Sequence, residues 1–160
     1  MGKIGFAKAS ILCLVDNAAK LQTKEKLHKI GVCADSLCLI CGEHDETHEH
    51  LFFKCHFSKE CATRIKTWCG INNQSLSFSQ IIEWLARRRR GSQVRRFVQA
   101  AAMEATTYCI WRVRNEAYWV HKIQNIDHTV KHIQQIVKAR SLCCLPKKVS
   151  NRDKEWIESL

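Results

Sequence analysis

Cys38 and Cys41 stand two residues apart with Gly42 directly behind them, and His50 and Cys55 follow within the next turn or two of chain. A C-x-x-C turn lets consecutive backbone amides wrap a cation, and a later His and Cys complete a tetrahedron from the other side. Such a sulfur-rich set suits zinc, which ionises its thiols on binding and has no d-electron geometry of its own to violate. Three thiolates and one imidazole fill every position, so the site is structural and leaves no place for a reactive water. His44, His48 and His50 all lie between Cys41 and Cys55. His50 is preferred as the fourth ligand, because the stretch separating it from Cys55 allows a short helical turn that brings both side chains to one ion. His44 and His48 are then surface or supporting groups. Free buried thiols without a metal are the weaker alternative, since paired spacing beside a glycine seldom arises by accident.

A second chemistry is electrostatic. Arg87, Arg88, Arg89, Arg90, Arg95 and Arg96 crowd into one short stretch around Gly91, and guanidinium groups pair bidentately with phosphate. The bland reading is a solvated helix end whose arginines face the negative end of the dipole. Phe52 and Phe53 suit base stacking, although aromatics beside a metal ligand more often build its miniature core. The same holds for Trp84, Trp111, Tyr118 and Trp119. Enzymatic readings fare poorly. His44-Asp45-Glu46 contains the H-x-E of zinc deaminases, but it follows the C-x-x-C where the deaminase order has it first. No phosphate-binding glycine loop and no paired-aspartate polymerase motif occurs. The expectation is that the chain is not an enzyme.

The elements that must position these groups read as mainly α. A hydrophobic fraction of 46% with one Pro and six Gly in 160 residues argues for a folded, helical chain. Helical spacing runs from Phe6 to Leu21, and Thr23 is placed to cap a short helix that Gly31 ends. Ser58 is placed to cap a helix reaching Trp68, with Gly70 as its stop. Ser77 and Gln80 form a capping box ahead of the arginine run. One long helix follows from Ser92 to about His121, with Val94, Phe97, Val98, Ala101, Ala105, Tyr108 and Cys109 as its apolar stripe. Another runs from about Asp127 to Ser141 with Val130, Ile133, Ile136 and Val137 inward. Pro146 ends the patterned region, and a weak turn surrounds Trp156. The organisation expected is a zinc-binding module with flanking helices over 1–70, which may include a short hairpin, a helical region with an Arg-rich helix end over 71–145, and a tail over 146–160.

A formal charge of +11 and a pI near 9.3 favour polyanionic partners. No run approaches the ~20 apolar residues of a membrane span. Phe6 stands where a myristoylation signal has Ser or Thr, and no secretory signal is evident. An intracellular, nuclear or cytoplasmic and non-secreted setting is therefore expected, where ten cysteines serve as ligands and buried thiols. Cys33, Cys61 and Cys69 are read as core thiols, and Cys143-Cys144 as too close for an ordinary disulfide.

Leu21-Gln22-Thr23-Lys24-Glu25-Lys26-Leu27, Cys38-Leu39-Ile40-Cys41-Gly42 and Glu46-Thr47-His48-Glu49-His50-Leu51-Phe52-Phe53-Lys54-Cys55 together resemble the reverse-transcriptase zinc-binding domain of plant non-LTR (LINE-type) retroelements. Ile110-Trp111-Arg112-Val113-Arg114-Asn115-Glu116 resembles the helical tail that follows that domain. The resemblance implies an accessory module beside a polymerase, with one structural zinc on Cys38, Cys41, His50 and Cys55, in contact with template RNA or target DNA. Partners on this reading are nucleic acid and a reverse transcriptase polypeptide. The competing reading is a structural or protein-interaction module, including a decayed element fragment, in which zinc only stabilises the fold.

Overall fold

The computed structural model describes residues 21–71, 80, 92–144 and 149–160. The helix expected over 6–21 falls outside them except for Leu21. So do the Ser77 cap, Trp84, Pro146 and Arg87 to Arg90. Among the described residues the chain is helical: α1 (Lys24–Lys29), a π-turn (His50–Lys54), α2 (His56–Trp68), α3 (Gln93–Val120), α4 (Ile126–Cys144) and α5 (Asn151–Glu158). The long helices α3 and α4 pack on each other, and α2 lies against both.

Local chemistry sets the boundaries. Gly70 takes φ +69° after α2, so Gly70 N–H donates to the Thr67 carbonyl at 3.1 Å and Ile71 N–H to Lys66 at 2.8 Å. This doubled bond satisfies the orphan carbonyls of a helix end, and the buried Ile71 side chain seals it. The start of α2 departs from the expected cap. Cys55 holds the N-cap position, and Ser58 is buried inside the helix, where its hydroxyl donates to the Leu51 carbonyl at 2.6 Å. Ser92 does cap α3, accepting from the amides of Val94 and Arg95 at 3.2 and 3.3 Å. The helix then runs to His121, which turns left-handed at φ 53°.

Along α3 the buried stripe is Val94, Val98, Ala101, Ala105, Cys109, Val113 and Ala117. Tyr108 lies one helical step off that stripe and is exposed, and Trp119 lies beyond its last core residue and is 75% exposed. Neither is a core residue. Trp111 and Phe97 pack on the core from its edge. Val130, Ile133 and Val137 of α4 face inward as expected, with Ile136 at the margin. The turn around Trp156 is a full helix, α5, capped by Ser150. Trp68 of α2 donates its ring N–H to the Leu160 carbonyl at 2.8 Å, which ties that end of the chain to α2.

One apolar cluster joins the Cys/His segment to the helices: Cys38, Leu51, Phe52 and Cys55 share it with Ile65, Ile110 and Ile133. A buried charge pair crosses the same boundary. Glu46 is fully buried and Arg114 of α3 is 4% exposed. Arg114 donates from Nε to Glu46 Oε1 at 2.9 Å, and its Nη2 lies 2.8 Å from the same oxygen. Removing one partner of a buried pair strands the other charge in low dielectric. Arg114→Leu is expected to lower unfolding free energy by about 3–5 kcal/mol in chemical denaturation. Adding Glu46→Gln to it should recover part of that loss.

Candidate metal centre

The C-x-x-C half of the site is held by a rudimentary hairpin. Leu37 and Asp45 form a single antiparallel bridge, Cys38 N–H donates to the His44 carbonyl at 2.7 Å, and Glu46 N–H donates to the Ser36 carbonyl at 2.7 Å. The loop inside it closes through Gly42, whose N–H reaches the Cys38 carbonyl at 2.7 Å with φ +70°. A side chain at Gly42 would meet nothing within 4 Å. The requirement for glycine there is conformational and not one of space.

His50 and Cys55 come from the other side. The Thr47 hydroxyl accepts from His50 N–H at 2.9 Å and so starts the turn. Because the segment from His50 to Lys54 is a π-turn, Cys55 N–H donates to the His50 carbonyl at 2.7 Å, an i to i+5 bond. That bond brings the two ligand candidates back to one side of the chain.

The sulfur atoms of Cys38, Cys41 and Cys55 and a ring nitrogen of His50 all lie within 4.8 Å of one another. Cys41 Sγ is 3.3 Å from His50 Nε2. Tetrahedral zinc with ~2.3 Å bonds to sulfur and ~2.0 Å to nitrogen needs donor separations of about 3.6–3.8 Å. The four residues therefore fit one zinc ion after sub-ångström to ångström adjustments. Cys38, His50 and Cys55 are buried, and Cys41 sits at the rim.

The electrostatics are those of a sulfur cluster. The thiol–thiol contact between Cys38 and Cys55 pushes Cys38 far up, with burial adding to the shift. The same contact moves Cys55 down against the effect of burial, and the first amides of α2 at Phe57 and Ser58 lower it further. A cation bound between these two sulfurs would displace their protons. Burial, then the neighbouring His44, lowers His50 and leaves its neutral imidazole as a donor.

The other histidines are neighbours of the cluster. His44 stacks on His50 with ring centroids 5.2 Å apart, and it groups with Cys41 and Glu43 at the exposed rim. His48 packs on Phe52 at 4.9 Å. Phe52 is buried in the core, and Phe53 packs on it from outside. Cys61 and Cys69 are core thiols, each pushed up to about 12 by burial. Cys33 is not: it is only half-buried, in the stretch after α1.

Two residues that sequence reasoning left without a role are central here. Glu46 Oε1 also accepts from Lys24 N–H at 2.8 Å, and Oε2 accepts from Leu39 N–H at 3.3 Å, inside the C-x-x-C turn. It replaces the cap expected of Thr23, which holds the N-cap position of α1 without a side-chain bond. The available signal was Arg114, a charged residue beside Val113 on the apolar side of α3.

A helical chain with a three-cysteine, one-histidine cage pinned to its core defines a module of the structural-zinc class. Residues 3–61 match the family described as zinc-binding in reverse transcriptase. The match spans all four cage residues. No curated protein and no solved structure matches the chain.

Native mass spectrometry is expected to find about one zinc per chain, and X-ray absorption to find three sulfur ligands and one nitrogen. Of His44→Ala, His48→Ala and His50→Ala, only the last should release zinc readily to a chelator, because it alone removes a metal–ligand bond. Fastest loss from His48→Ala would refute this ligand set.

Proposed function

We propose that the chain is a retroelement-derived accessory module that uses zinc to hold its fold and contacts RNA or DNA beside a reverse transcriptase. The observation that carries this reading is the placement of Arg95 and Arg96. Both lie in the first turn of α3, which has no acidic residue in that turn. Helix N-termini carry partial positive charge, so cations there cost roughly 0.3–1 kcal/mol each where anions would stabilise. Asp153 offsets part of that cost at Arg95, and a phosphate facing the two guanidinium groups would offset more of it. They extend the run from Arg87 to Arg90, and the net charge of +11 supplies the long-range attraction. The zinc cage acts at a distance in this reading: it sets the position of α3 through Glu46 and Arg114 and takes no part in chemistry.

A second reading, docking onto a protein such as the polymerase, is favoured by a different observation. Ile30, Val32 and Leu37 are exposed beside the zinc loop at 69%, 61% and 43%. No helix among the described residues is long and apolar enough to cross a membrane.

Binding to single-stranded oligonucleotides separates the two. Each phosphate neutralised should contribute about −0.7 to the slope of log affinity against log salt. Arg95→Ala with Arg96→Ala, and separately Arg88, Arg89 and Arg90 to alanine, should lower both affinity and slope while zinc content stays the same. Parent protein that fails to bind at low salt would move the assignment to the protein-docking reading.

A further inference from the structure

Where the end of α2, the start of α3 and helix α5 meet, they enclose a pocket of about 100 Å³ lined by Gly70, Ser92, Arg95, Arg96, Gln99 and Trp156, with Cys69 at its base. Its walls carry two kinds of polar group. Arg95 is held in place by a bond from Nε to Asp153 at 3.4 Å and by stacking 5.0 Å above the Trp156 ring, which fixes its planar fork in advance of any ligand. Arg96 lies beside it. Alongside the Asp153 contact, the two guanidinium groups at the pocket wall favour an anion.

Gln99 asks for something else. It is 3% exposed, and its Nε2 donates to the Cys69 carbonyl at 3.1 Å, which settles which end of the amide faces the backbone. Its Oε1 is buried with no hydrogen-bond partner among the described residues. A buried acceptor left unpaired is costly, and such a group in a pocket wall points to a donor supplied by a ligand. An anion that carries no proton cannot serve alone, because its oxygen would face a carbonyl oxygen. The ligand must carry a hydroxyl or N–H next to its negative charge.

Size narrows the choice. Pockets that enclose a drug-sized molecule start near ~300 Å³, so this one takes a single group of a larger ligand. A repeating polymer that places a hydroxyl donor beside every phosphate is RNA; in DNA the 2′-hydroxyl is missing. We propose that the pocket takes one phosphate–ribose unit of an RNA strand, with Arg95 and Arg96 on the phosphate and Gln99 Oε1 accepting from the 2′-hydroxyl. This assignment rests on the nucleic-acid reading above and makes it specific for RNA.

The test compares the full-length zinc-loaded protein on three single strands of one sequence: RNA, DNA, and RNA carrying 2′-fluoro in place of each hydroxyl, which removes the donor but keeps the sugar pucker. RNA should bind about threefold to tenfold more tightly than either of the others, the range for one net hydrogen bond. Gln99→Met, close in volume and without the acceptor, should bring RNA down to the level of DNA and leave DNA binding as it was. Equal binding of RNA and 2′-fluoro RNA by the parent overturns the pocket assignment, while leaving nucleic-acid binding in place. Absence of binding to all three at low salt overturns both. The fluoro comparison uses unaltered protein, so a Gln99 variant that fails to fold does not blunt the test.

Discussion

One buried carboxylate organises the first half of the molecule. Glu46 receives the opening amide of α1, the Leu39 amide inside the zinc loop, and the Arg114 guanidinium from the far end of α3. Taking two charges out of water is expensive, and the attraction between them offsets that cost only when the remaining hydrogen-bonding positions are filled. On the carboxylate they are filled from several elements at once, while Arg114 Nη2 lies 2.8 Å from Glu46 without a hydrogen bond of its own. Arg114 is flanked by the rings of Trp111 and Tyr118 at 5.0 and 5.4 Å, so the cation lies against aromatic faces as well as its carboxylate. The loop, the short helix and the long helix can satisfy this group only together.

That arrangement explains how a loop with almost no regular structure becomes part of a helical body. Between Cys33 and His48 the described backbone has a single β-bridge and a few turns. Such a segment cannot bury enough surface to order itself. Zinc ligation would hold it from one side and the carboxylate from the other, while Leu51 and Phe52 insert into the core shared with α2 to α4. A structural metal contributes its binding free energy to folding when no site exists in the unfolded chain. In this protein that contribution reaches beyond the loop, because the same few residues set the seat of α3.

The features readable from the sequence were those governed by near neighbours. The spacing from His50 to Cys55 implied a helical turn, and the structure supplies a wider version of it. The glycines after α1 and α2, the start of α3 at Ser92 and the core face of α4 are also local, each decided within one or two turns of chain. What escaped was decided at distance. Glu46 and Arg114 are 68 residues apart, and nothing in the composition around either one names the other. Ser58 looked like a cap until Cys55, held at the cage, took the N-cap position ahead of it. Tyr108 and Trp119 fit an apolar pattern but stay exposed, with no element packed over them among the described residues. The unpartnered oxygen of Gln99 is legible only once α2 and α5 are in place around it.

The π-turn has a consequence for how this segment tolerates change in its gene. Its i to i+5 bond is a register: four residues, Leu51 to Lys54, lie between the His50 carbonyl and the Cys55 amide. Replacement of the exposed Lys54 leaves that register alone and removes only a surface ion pair with Glu49. Loss or gain of a single codon there cannot be absorbed in the same way, since each helical residue turns the chain by about 100° and would swing Cys55 off the cage. The segment is thus permissive toward point substitution on its outer face and intolerant of insertion or deletion, the reverse of the behaviour usual for a surface loop.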